Sequence, residues 1–87
     1  MRIWKYQLHD EVLNHVHMPL EADIIHFGVQ KGNLCMWFKI SGSPVEPIEV
    51  GVRKFLVCPT GEDFEGEYLG TAIMPESGEV FHLIEIL

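Results

Sequence analysis

The sequence predicts an all-β domain, a small antiparallel barrel or sandwich of about six or seven strands. Three observations carry that prediction. Apolar and polar residues alternate with period two through most of the 87 residues, and no stretch holds a helical period. Clusters of Gly, Pro, Asn and Asp separate the alternating runs at short intervals. Apolar residues make up 47% of the chain, enough to fill one core and to leave apolar surface for an oligomer to cover. The length bounds a single β domain over 1–87.

Taken in order, Arg2 to Leu8 alternates, with Trp4, Tyr6 and Leu8 on one face and Ile3, Lys5 and Gln7 on the other. His9-Asp10-Glu11 is a polar break. Asn14 to Met18 sets Val16 and Met18 against His15 and His17. Pro19 ends the run, because proline has no amide proton for a ladder. Asp23 to Gln30 places Ile25, Phe27 and Val29 on one face and Ile24, His26 and Gly28 on the other. Lys31-Gly32-Asn33 supplies the positive φ of a tight hairpin. The chain returns as Leu34 to Ser41, with Leu34, Met36, Phe38 and Ile40 opposed to Cys35, Trp37 and Lys39.

Gly42 to Pro47 is a loop by composition. Ile48 to Cys58 forms the next run, and its apolar parity slips between Val50/Val52 and Phe55/Val57. Gly51 beside the slip points to a bulge or a bend. Pro59-Thr60-Gly61 turns the chain, and Glu62 to Glu67 is an acidic loop. Tyr68 to Met74 is a strand, and Pro75 to Gly78 turns into Val80–Leu87. That closing octapeptide, Val-Phe-His-Leu-Ile-Glu-Ile-Leu, is too apolar to fray in water, so it is expected inside a sheet or against a partner subunit. The Ile24–Ser41 hairpin is expected to be central. The core is expected to draw on Ile25, Phe27, Val29, Met36, Phe38, Ile40, Val57, Phe81 and Leu83. If the hairpin is reversed, Trp37 and Cys35 become core instead.

Net charge is −7, and it is unevenly placed. Residues 1–43 balance four acids with four bases, whereas residues 44–87 carry nine acids and two bases, Arg53 and Lys54. Such a balance argues against duplex DNA or RNA, which need several phosphate-neutralising cations. No apolar stretch approaches a membrane span. The opening residues are strand-like and carry early charges, unlike a secretory leader. Cys35 and Cys58 lie in apolar runs and read as reduced, buried thiols of a cytosolic protein, with a disulfide as the alternative.

Candidate chemistry is sparse. His15 and His17 share one strand face and could reach a single metal, with His9, His26 or His82 as further ligands. No other ligand spacing supports this, and two solvated histidines on an edge strand explain the motif as well, so no cofactor is expected. A catalytic thiolate needs an electropositive, partly exposed setting, which neither cysteine has. The acids of Glu62 to Glu67 lack the disciplined spacing of a calcium loop. The aromatic residues are more suggestive. Trp37 shares a face with Lys39, Arg53 and Lys54 are adjacent cations, and Thr60-Gly61 offers hydroxyl and backbone donors. Aromatic faces stack on bases and nearby cations hold phosphate, so these residues form a candidate nucleotide site. The plainer alternative has Trp37 in the core or an interface and the cations on a solvated rim.

Several motifs lie along the chain. They are Ile3-Trp4-Lys5-Tyr6, Met18-Pro19 followed by Ala22, Gly28 to Trp37, Thr60-Gly61, Tyr68-Leu69-Gly70-Thr71 and Val80 to Glu85. In this order the chain resembles a family of small uncharacterised β proteins encoded in tailed phages and prophages. Many members of that family carry His-Pro after the Thr-Gly, where this chain has Glu62-Asp63. The resemblance implies a phage accessory protein in the cytoplasm of a bacterial host, without an assigned reaction.

Together these readings lead to an expectation of a non-enzymatic binding protein, homo-oligomeric, that counters host defence by sequestering a small nucleotide signal or binding a host protein. The alternative is a protein–protein or virion-associated structural module.

Overall fold

Alternation of apolar side chains builds seven strands in the computed structural model, which describes residues 1–9, 13–41 and 48–87. They are β1 (Arg2–Gln7), β2 (Leu13–Pro19), β3 (Asp23–Gln30), β4 (Asn33–Ile40), β5 (Val50–Pro59), β6 (Glu67–Ile73) and β7 (Val80–Ile86). The expected polar break at Asp10 and Glu11 and the expected loop from Gly42 to Pro47 lie outside the described residues. The strands form two antiparallel sheets, β1-β4-β3 and β2-β5-β7-β6. Their inner faces pack on one another, so the fold is a sandwich.

The three-stranded sheet contributes Trp4, Tyr6, Ile24, Phe27, Val29, Leu34, Met36 and Phe38 to the interior. The four-stranded sheet contributes Val16, Met18, Phe55, Val57, Ala72, Phe81 and Leu83. Met36, Phe55 and Leu83 are wholly removed from water. Burying a side chain of that size contributes about 1.5–3 kcal/mol before entropy is counted. Trp4 meets Phe38 edge-on with ring centroids 5.7 Å apart, a geometry that the aromatic quadrupole favours. Asn14, itself buried, clips the passage from the first sheet to the second. Its Oδ1 accepts from the His9 amide and its Nδ2 donates to the His9 carbonyl, both at 2.9 Å.

The β3–β4 hairpin is closed by Lys31 and Gly32, with φ of 51° and 78°. Two positive-φ residues make a type I′ turn, which matches the right-handed twist of the strands. Leu34, Met36 and Phe38 point inward, so the hairpin is not reversed. Cys35, on the outer face, is nevertheless buried by its neighbours, and Trp37 is half-buried. The expectation of a central hairpin holds only for β4, because β1 pairs on its free side while β3 is left as an edge. The closing strand β7 lies between β5 and β6 and pairs on both sides, as its composition demanded.

Two expectations need correction. Ile25 is 45% exposed rather than core. A β-bulge between Ile24 and His26 shifts the register against β4 and turns Ile25 outward, so Ile24 packs on the core instead. The apolar slip in the fifth strand is not a bulge. Its pairing with β2 runs unbroken from Leu13↔Leu56 to Pro19↔Val50. Val50 and Val52 are simply on the outer face, where both are more than half exposed. The inner positions on the same parity as Phe55 and Val57 are filled by Gly51 and Arg53.

Candidate functional site

The outer face of the four-stranded sheet carries a polar row. Register pairs Cys58 with His82 and His82 with Thr71. The turn after β5 places Thr60 next to the same imidazole. Both ring nitrogens of His82 are therefore engaged: Nε2 with Thr60 Oγ1 at 2.8 Å and Nδ1 with Thr71 Oγ1 at 2.8 Å. Thr71 Oγ1 also meets the Tyr68 hydroxyl at 2.6 Å. The Tyr68 and His82 rings lie with centroids 6.5 Å apart.

A neutral imidazole donates through one nitrogen and accepts through the other. The chain Tyr68–Thr71–His82–Thr60 thus has two self-consistent polarities. In one, Tyr68 donates inward and the Thr60 hydroxyl is free to donate outward. In the other, Thr60 donates inward and the Tyr68 hydroxyl donates outward. A ligand meeting either end selects the polarity of all four groups.

Thr60, Tyr68 and His82 line an open groove of about 370 Å³ that includes Cys58, Glu62, Asp63, Phe64 and Ile84. The loop over residues 60–66 crosses β7 to form one wall. It descends steeply at Gly66, whose φ is 145°. A Cβ there would meet the Glu85 carbonyl oxygen and come within 2.7 Å of Ile84 Cγ2, so only glycine lets the loop lie this close to the strand. Glu62 and Asp63 put negative charge on the rim. The Cys58 thiol donates to the His82 carbonyl with Sγ···O of 3.5 Å. Burial pushes that thiol above its ordinary 9.0, and Glu62 pushes it the same way. Its thiolate is disfavoured, which makes it a poor nucleophile.

The residues expected to form a nucleotide site are dispersed. Trp37 and Lys39 are on the three-stranded sheet, with Trp37 opposite Lys5 and His26 across the strands. The His26 and Trp37 rings lie 5.3 Å apart, and Lys5 Nζ donates to Gln30 Oε1 at 2.6 Å. Arg53 is on the inner face of the other sheet. Its Nε and Nη2 each donate to one Glu85 carboxylate oxygen at 2.6 Å, and its Nη1 donates to the Ala22 carbonyl at 2.6 Å. Lys54 points to the opposite side, across from His15. Thr60 alone of that set belongs to the groove. His15 and His17 are exposed on one face of β2, facing Lys54 and Val52, and a cation beside His15 opposes metal binding. Among the described residues no three His, Cys, Asp or Glu side chains are close enough to hold a metal ion. Cys35 and Cys58 are free and buried.

Sequence reasoning weighed Thr60, and His82 only as an accessory metal ligand, but missed Tyr68 and Thr71 as site residues. The signal was present in the motifs: Thr60-Gly61, Tyr68 to Thr71 and Phe81-His82, three of the segments behind the phage-family resemblance, converge here.

Among the described residues no helix is long and apolar enough to cross a membrane. A family model described as a domain of unknown function (DUF7352) matches residues 1–86. No curated protein and no solved structure matches the chain.

Proposed function

Because the chain belongs to the DUF7352 family, which carries no assigned activity, we propose from its own residues that it is a non-enzymatic binding module whose ligand lies in the Thr60–His82–Tyr68 groove. The observation that carries this reading is the hydrogen-bond chain through both nitrogens of His82, whose two ends open into one concavity. Hydroxyl groups of switchable polarity recognise a ligand that presents either a donor or an acceptor. The carboxylates of Glu62 and Asp63 favour an uncharged or cationic ligand over an anionic one. A peptide backbone with a basic side chain, or an amine, fits this chemistry. The buried Cys58 thiol offers no nucleophile, which supports binding rather than catalysis.

A second reading keeps a nucleotide as ligand on the other sheet. Trp37 and His26 offer stacking faces there and Lys39 a phosphate contact. Arg53 is committed to Glu85, so this version rests on fewer cations than the sequence suggested. Either version suits a phage or prophage accessory protein acting in a bacterial cytoplasm on a host molecule. A thermal-shift panel separates them. Basic dipeptides and amines should raise the melting temperature through mass action if the groove is the site. Mononucleotides should do so if the Trp37 face is. A panel that leaves the melting temperature unchanged throughout counts against both.

A further inference from the structure

We propose that the outer face of the four-stranded sheet docks a second copy of this chain, in a two-fold, face-to-face pair. Leu13, Val50 and Val52 are 40%, 55% and 51% exposed. With the half-buried Leu56 and Ile86 they occupy one side of the sheet, because register places Leu13 opposite Leu56, His17 opposite Val52 and Lys54 opposite Ile86. These apolar side chains flank the Lys54–His15 pair on one face, and exposed apolar surface rimmed by polar groups marks an interaction surface.

Charge identifies the occupant. The β2–β5 half of this face carries Lys54 together with the imidazoles of His15 and His17. The β7–β6 half carries the 60–66 loop with Glu62, Asp63 and Glu65. Among the described residues Arg53–Glu85 is the one ion pair, so Lys54 and these loop carboxylates are all uncompensated. A two-fold axis running along the strands sets each copy's Lys54 half against the other copy's acidic loop. Both halves of the surface are then satisfied twice, as an isologous interface requires. Shape agrees: the loop lies against β7, and on the β2–β5 half Leu13, Val50 and Val52 are exposed. The net charge of −7 opposes association in every orientation that brings the two acidic loops together, so the same charges that select this pairing reject others.

The interface shares Glu62 and Asp63 with the proposed groove, but its other half, Leu13, Val50, Val52 and Lys54, lies outside it, so pairing is tested there without any ligand. Sedimentation equilibrium of the full chain across the micromolar range tests it. The expected result is a mass of two chains. Val52→Asp, and separately Leu13→Asp, should weaken pairing more than tenfold while circular dichroism stays that of the parent, because both positions are exposed. Lys54→Glu should also be monomeric, and should regain a partner when mixed with Glu62→Lys/Glu65→Lys, read as a heterodimer by native mass spectrometry. A one-chain mass throughout overturns the proposal. So does a dimer indifferent to Val52→Asp, or a Lys54→Glu chain that finds no partner in the mixture. Loss of groove binding with pairing intact would count against the ligand reading alone.

Discussion

Arg53 holds both carboxylate oxygens of Glu85, through Nε and Nη2, at 2.6 Å each. The side chains are only 16% and 9% exposed, and the guanidinium also lies 5.6 Å from the Phe55 ring. The pair closes one end of the sandwich and ties β5 to the closing strand. The Glu85 hydrogen bond raises the Arg53 pKa above that of a free guanidinium, ahead of the opposing effect of burial. Its stabilising contribution is therefore complete across the neutral range and is lost only in strong alkali.

Removing one partner of such a pair strands the other charge. Glu85→Ala or Arg53→Ala should each lower unfolding free energy by about 2–4 kcal/mol. The double change Arg53→Met/Glu85→Leu should recover most of it. Urea denaturation of the four proteins checks this, and additive losses would contradict a coupled pair.

The bulge in β3 sets Ile25 apart from Met36, an apolar residue of the adjacent strand that keeps its inward position. Met36→Ala should cost about 2–5 kcal/mol, because it empties a fully buried site. Ile25→Ala should stay within about 0.5 kcal/mol of the parent, because its side chain faces water. A large loss at Ile25 in the same denaturation series would mean that the register shift is misplaced.

Such local slips are what the sequence left hidden. Strict alternation made the hairpin from Asp23 to Ser41, the division of β1 and β2 into two faces and the internal position of β7 legible, since period two leaves little freedom when one face must be dry. It failed at Ile25 because a single extra residue reverses parity without changing composition. It misled at Val50 and Val52 because outward-facing valines mimic inward ones when Arg53 occupies the core parity. Arg53 itself read as a free cation, since its partner Glu85 is 32 residues away. The groove was legible only as separate motifs. His82 joins Thr60 and Thr71 from strands that become neighbours through tertiary pairing.

Alkaline pH should expose the Cys58 thiol's burial. Its folded pKa is raised above the ordinary 9.0. The unfolded chain thus loses its proton first, and stability is full below 9 and falls as pH climbs towards the folded value. The melting temperature of the parent should drop more between pH 8 and 10 than that of Cys58→Ala, measured by scanning calorimetry. Equal drops would remove Cys58 as the cause.

The loop that walls the groove depends on one backbone conformation. Gly66→Ala should cost more than about 1–3 kcal/mol, because strain at positive φ is compounded by collision with the Glu85 carbonyl. Gly61→Ala, where an added Cβ meets nothing within 4 Å, should cost less despite its φ of 98°. Paired urea titrations compare the two.

The binding role is tested most directly by following backbone amide resonances of the isotopically labelled chain while basic dipeptides, amines and mononucleotides are added in turn. The account predicts saturable shifts from a basic or uncharged probe, confined to Thr60–Phe64, Tyr68, Thr71 and His82 and abolished by His82→Phe. Silence from every probe, or shifts that map to Trp37 and His26 and survive His82→Phe, would contradict it.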